Sequence, residues 1–284
     1  QLSSFSGALS SGGSFYYHSE LTASGVSPPL GPERGGTRVV VLGGSFRDSY
    51  TLRCGFGSGA APVLARFVDE NQLECIAPFH LPGVVKVLLS MNGQQYMDSG
   101  ATYEYQSALS VSFVSPGSVL AEGGTPITVH GSGFSSASEA LGLLTCRIGS
   151  AVRRAVWASS SALVCNTTRA MAGSARVEVS NNAREYTSDG VRIKLVSVRV
   201  LDVQPWSGPL SGATVVSVRA FGAWPGGLRC RFGDGASSAG WNAGGSSRLR
   251  CVTPPSSAGM AGWVSMQLSS FSGALSSGGS FYYH

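Results

Sequence analysis

The sequence is poor in charge. Only 12% of its 284 residues are Asp, Glu, Lys or Arg, about half the share usual in globular chains. Lysine is almost missing: Lys86 and Lys194 stand against 18 arginines. The net charge of +5 is spread singly, without the dense basic stripe and interleaved aromatics of a nucleic-acid surface. No apolar run approaches the roughly 18 residues of a membrane-spanning helix. An amino-terminal secretion signal is also missing, so the chain is expected to be a mature form or a fragment.

Reactive constellations are missing as well. There is no Gly-x-Ser-x-Gly elbow, His-Glu-x-x-His helix, phosphate loop or EF-hand loop, so hydrolase, zinc-protease, nucleotide and calcium chemistries lack their motifs. No Cys-x-x-Cys occurs, which removes zinc and thioredoxin-type spacings. His18 and His284 occupy the same place in a duplicated segment, and His80 and His130 stand alone. The expectation is a protein with no catalytic residues, no cofactor and no bound metal. Asp69, Glu70 and Glu74 form a small acidic cluster, expected to be a solvated loop rather than a calcium site. Trp157, Trp206, Trp224, Trp241 and Trp263 are assigned to core or domain-junction packing, with a carbohydrate-stacking surface as the alternative.

What the sequence has in quantity is glycine, 39 residues, and repetition. Residues 1–18 and 267–284 are both QLSSFSGALSSGGSFYYH, an offset that must be settled before any fold is assigned. Inside it lies a weaker period. Cys54-Gly55-Phe56-Gly57, Cys146-Arg147-Ile148-Gly149 and Cys230-Arg231-Phe232-Gly233 share a pattern, and each has a second cysteine downstream, at Cys75, Cys165 and Cys251. Upstream of each lies a matching segment: Gly35-Gly36-Thr37, Gly123-Gly124-Thr125 and Gly212-Ala213-Thr214. These features divide the chain into three diverged domains, 19–106, 107–195 and 196–284. Residues 1–18 are the equivalent of the last hairpin of a preceding third domain.

Each domain reads as strands. Val39/Val41, Ile127/Val129 and Val216/Val218 alternate with polar or opposite-facing residues, the period-two signal of a half-buried strand. Short strands punctuated by Gly, Pro, Ser and Asn point to an all-β immunoglobulin-like sandwich. Helical periodicity is nearly absent, and Ser135–Leu144, its best candidate, is too rich in Gly and Ser to be assigned a helix. Pro28, Pro116 and Pro205 are placed at domain junctions, where they would stiffen linkers.

The run Gln204-Pro205-Trp206-Ser207-Gly208-Pro209, followed by Gly212 and Thr214, resembles the opening motif of IPT/TIG domains. The Cys-x-Phe-Gly turn and the later Cys75-Ile76-Ala77-Pro78 and Cys251-Val252-Thr253-Pro254 are similar to the same family, while domain two departs with Cys165-Asn166-Thr167-Thr168. The resemblance covers all three domains and implies immunoglobulin-like sandwiches serving as spacers or binding surfaces, as in plexin-type receptors, fibrocystin-like surface proteins, some transcription factors and starch-acting enzymes.

Six cysteines in three evenly spaced pairs predict the disulfides Cys54–Cys75, Cys146–Cys165 and Cys230–Cys251, and with them an extracellular or cell-surface location. Asn166 opens the one Asn-x-Ser/Thr sequon and is expected to carry an N-glycan. Ser27-Pro28-Pro29 and Thr253-Pro254-Pro255 are candidates for proline hydroxylation and O-glycosylation. The duplication favours a structural role: repeats assembling head-to-tail into an extracellular filament or stalk, either within one giant chain or between subunits that share the terminal hairpin. The partner would then be the protein itself. An adhesion or receptor ectodomain is the alternative.

Overall fold

The computed structural model describes residues 2–3, 9–10, 21–222, 228–234, 237–242, 248–269, 276 and 278–284. It divides into two compact units, Gln1–Gln106 and Ser107–His284. The first unit holds one sandwich and the second holds two, so the all-β, three-sandwich expectation is met.

The second sandwich shows the plan most simply. A four-stranded sheet runs in the order Ser110–Ser115, Pro126–Ser132, Ala162–Asn166, Val156–Ser159. Facing it is a five-stranded sheet in the order Ser118–Leu120, Arg192–Val196, Gly173–Ser180, Thr145–Ile148, Ala151–Arg154. All pairings are antiparallel except that of Ser118–Leu120 with Arg192–Val196. The third sandwich repeats this order of four and five strands. In the first, strand Val63–Asp69 pairs with both Arg53–Phe56 and Gln72–Ile76, joining the two sheets into one sequence of eight strands.

The alternating apolar residues are the core. Val39, Val41, Ile127, Val129, Val216 and Val218 are fully buried. Each predicted cysteine pair is bonded across the sandwich, with Cα–Cα separations of 6.4, 6.3 and 6.2 Å. Within the second unit the two sandwiches share packing: Leu120, Val196 and Val198 join the core of the third.

The Gly-Gly-Thr segments and their Gly212-Ala213-Thr214 equivalent form a backbone clamp against the chain just after the second cysteine. The amide of Gly36 donates to Ala77 O, that of Gly124 to Thr167 O and that of Ala213 to Thr253 O, each at 2.8 Å. The return bonds, Ala77 N to Thr37 O, Thr167 N to Thr125 O and Thr253 N to Thr214 O, are each 2.9 Å. The leading glycine of each clamp sits at positive φ, and a Cβ on Gly35, Gly123 or Gly212 would lie 2.4–2.5 Å from a backbone carbon of the facing segment. Only glycine fits there. The next position is less demanding, because Ala213 holds φ 64° where the other two clamps have glycine.

Three expectations are corrected. Pro28, Pro116 and Pro205 are not in linkers. Each follows a cis peptide bond inside its sandwich, just before the short strand that pairs in parallel at the sheet edge. A short helix exists at Ser136–Ala140, capped by the Ser135 side chain, which accepts from the Ser138 amide. It lacks periodicity because cap and tertiary contacts make it: Glu139 accepts from the Trp157 amide at 3.0 Å. Thr253 is not an O-glycosylation candidate, since it is 2% exposed and its hydroxyl accepts from Thr214 N at 3.1 Å.

Of the duplicated amino-terminal segment, Leu2–Ser3 pairs antiparallel with Leu9–Ser10; the remainder of 1–18 lies outside the described residues. Leu2 pairs with Ser10 as Leu268 bonds with Ser276, whose amide donates to Leu268 O at 2.7 Å, so the two copies share this local hairpin pairing.

The clamp makes a graded prediction for urea denaturation of the intact chain. Gly123→Ala combines a left-handed φ with a backbone collision and should cost about 3 kcal/mol. Gly124→Ala, at the position where the third sandwich has Ala213, should cost about 1 kcal/mol. Equal losses would show that the collision does not govern the site.

Candidate interaction surfaces

In each five-stranded face, residues alternate between core and solvent, so register decides which side chains meet outside. Two outward rows can be compared across the three sandwiches. In the row nearer the parallel edge, Val84 pairs with Glu104, Ser174 with Lys194 and Trp263 with Tyr282. In the next row, Lys86 pairs with Thr102, Arg176 with Arg192 and Ser265 with Ser280. One scaffold thus presents a mixed, a basic and an aromatic face.

The aromatic face belongs to the third sandwich. Trp206 and Trp263 are 58% and 64% exposed, and their rings stack at 5.8 Å with 21° between planes. Tyr282 lies edge-on to Trp263 at 5.3 Å. Trp206 reaches this row because its carbonyl accepts from the Tyr282 amide at 2.8 Å. The assignment of these tryptophans to core or junction packing is therefore wrong for the pair. Strand parity could have placed Trp263 correctly: Val264, Met266 and Leu268 point inward, so Trp263 points out with Ser265 and Gln267. Trp157 does pack inward, half-buried, with its indole N–H donating to Phe134 O at 3.1 Å. Trp241 is 46% exposed, and Trp224 lies outside the described residues.

The basic face belongs to the second sandwich. Arg147 bonds Glu178 at 2.7 Å and lies 4.3 Å over the Tyr186 ring. Arg192 donates to Ser174 Oγ and O at 2.8 and 2.9 Å. Arg169, Arg176 and Lys194 have no ion-pair partner among the described residues. In the first sandwich the equivalent cation is neutralised: Lys86 bonds Asp98 at 2.7 Å. That contact raises the Lys86 pKa and, with the Gly100 amide, lowers that of Asp98.

The other predicted residues fall as follows. Cys54, Cys75, Cys146, Cys165, Cys230 and Cys251 are buried inter-sheet links. Asn166 is exposed at the end of strand Ala162–Asn166. The acidic cluster does not converge: Glu74 is held by Arg38 and by Arg66, the latter at 3.0 Å, while Asp69 accepts from the Asn71 amide at 2.8 Å.

The IPT/TIG domain family model matches residues 21–105 and 109–194, which together exceed half of the chain. Human Plexin-A4 is 26% identical over 151 residues, covering 50% of this chain and 8% of Plexin-A4. Human Fibrocystin-L is 26% identical over 168 residues, covering 57% of this chain and 4% of that protein. The chain therefore spans less than a tenth of either relative's length. A solved structure of the full extracellular region of Plexin A4 aligns with 83% of this chain and 21% of that one, at 18% identity and a TM-score of 0.46. Three disulfides set the protein in an oxidising, extracellular or cell-surface environment, and the chain belongs to the IPT/TIG domain family.

Proposed function

We propose that the chain is a non-catalytic segment of a cell-surface ectodomain of receptor or adhesion type, whose tandem sandwiches hold partner-binding surfaces. The observation that carries this reading is the cluster of Trp206, Trp263 and Tyr282. These rings lie on an outer sheet face whose own core is complete without them. Large exposed aromatics that do no packing work mark contact sites. The similarity to plexin and fibrocystin-type proteins supports the same class.

A second reading rests on a different observation, the identity of residues 1–18 with 267–284. Two copies of one terminal hairpin suit a repeat unit that assembles with its own kind, each hairpin completing a third-domain sandwich by strand addition. In that case the protein is a structural filament or stalk, and its partner is itself. Images of native material showing rods with a regular axial repeat would favour this reading; isolated ectodomains would favour the first.

Asn166 is proposed to carry an N-glycan. Its side chain is exposed at the end of an inner strand, and glycan there would leave the five-stranded faces uncovered, because strand Ala162–Asn166 belongs to the four-stranded sheet. Mass spectrometry of native protein should find Asn166 modified; an unmodified residue contradicts the assignment.

The receptor or adhesion reading predicts that the labelled intact chain binds the surface of its source cells. The double variant W206S/W263S should lower that binding about tenfold or more, as loss of paired aromatic anchors does. Its melting temperature should stay within about 3 °C of the parent, as expected for exposed positions. Undiminished binding by the folded variant would overturn the assignment.

A further inference from the structure

The second sandwich contains an arrangement that its own stability does not explain. Arg176 and Arg192 are directly opposed across two antiparallel strands, and like charges so placed are destabilising. The neighbouring positions deepen the imbalance. Lys194 follows Arg192 on the same outward face, and it is flanked by Ser174 and Ser118 rather than by carboxylates. Arg169 lines, with Arg147, Arg176 and Arg192, an open groove beside this row with a volume of about 1180 Å³. One carboxylate, Glu178, lines that groove, and Arg147 already neutralises it.

The other two sandwiches show that the scaffold does not require this. At the place of Arg176 and Arg192, the first has Lys86 and Thr102, with Lys86 matched by Asp98. The third has Ser265 and Ser280. The basic row is therefore a property of one domain's outward positions.

We propose that this face binds a linear polysaccharide carrying sulfate or carboxylate groups. Adjacent strands are about 4.8 Å apart, and alternate residues on one strand about 6.8 Å apart. The outward cations thus form a grid in which a chain with regularly spaced anionic groups meets several at once. Guanidinium groups match the planar fork of carboxylate and the oxygens of sulfate with paired hydrogen bonds. An anion between Arg176 and Arg192 turns their repulsion into two attractions. A protein partner is a poorer fit, since protein hot spots centre on buried aromatic anchors and no aromatic side chain lines this groove. The site is separate from the aromatic row of the third sandwich, and it stands or falls independently of that row's role.

The test uses the intact chain, three immobilised oligosaccharides of matched length (a heparin fragment for sulfate, an oligogalacturonate for carboxylate and a neutral maltooligosaccharide) and poly-glutamate as an acidic polypeptide. Binding to one or both anionic probes, weakened by added salt, with none to the neutral one, is expected; which probe binds identifies the anion. The variant R176S/R192T installs residues found at these positions in the sister sandwiches. It should lower affinity about tenfold or more, having lost two charge-assisted contacts, without a lower melting temperature. R176Q should show the same direction of loss if the double variant folds poorly, and R176K should retain part of the binding. Arg34→Ser on the first sandwich should leave affinity within about twofold, the change expected for a remote exposed charge. Unchanged affinity in the Arg176 variants, equal binding of the neutral probe, binding of poly-glutamate in place of both anionic glycans, or no binding of any probe would overturn the proposal.

Discussion

Everything outward in this protein depends on one inward constraint, the covalent link between the two faces of each sandwich. Cys54, Cys146 and Cys230 lie on one side, and Cys75, Cys165 and Cys251 on the other. The loops they close are 21, 19 and 21 residues long. In the chain-entropy account, each closure removes unfolded-state freedom amounting to about 3 kcal/mol. A glycine-rich chain benefits from that, because glycine loses more freedom on folding than other residues. The backbone clamp between the Gly-Gly-Thr segment and the residues after the second cysteine acts at the same place. It carries reciprocal hydrogen bonds at 2.8 and 2.9 Å in all three domains. The link ties one sheet to the other, and the clamp extends the pairing of two neighbouring strands within a sheet, neither calling on an outward side chain.

That separation of labour explains how three sandwiches of one plan present three different surfaces. The inward positions hardly vary in kind: Val87, Val177 and Met266 are buried at one equivalent place, and Tyr103, Ile193 and Phe281 at another. The outward positions between them range from Lys86 with Thr102, through Arg176 with Arg192, to Ser265 with Ser280. Changes there alter charge and stacking without disturbing the core, so the outer sheet faces are where partner choice can diverge between domains. Fold alone does not name a partner; the proposed one is read from the side chains on those rows.

Much of the fold is legible in the sequence. Alternation at Val39/Val41 and its two equivalents, and the regular cysteine spacing, are local signals that survive into the structure unchanged. The Gly-Gly-Thr match was visible as a repeat, although its cause was not, because it lies in a backbone approach of residues about 40 positions away. The prolines were misplaced for a similar reason. Pro28, Pro116 and Pro205 sit near domain boundaries in sequence, and only the strand pairing shows that they precede the short strand paired in parallel at the sheet edge. The aromatic cluster was misjudged by weight: a tryptophan counts strongly toward burial, whereas the parity of strand Gly262–Ser269 puts Trp263 outside. The Arg176–Arg192 opposition was out of reach, since it depends on the register between two strands and appears in neither strand alone.

The central claim is that recognition is carried by the outer rows of the five-stranded faces on an inert, covalently pinned interior. Hydroxyl-radical footprinting of the intact chain, free and bound at its source cell surface, measures this directly. The account predicts protection confined to outward residues of those faces, such as Trp206, Trp263, Tyr282 or Arg176. Protection concentrated instead on the four-stranded sheets, on strands such as Ala162–Asn166 or Arg248–Val252, would contradict it.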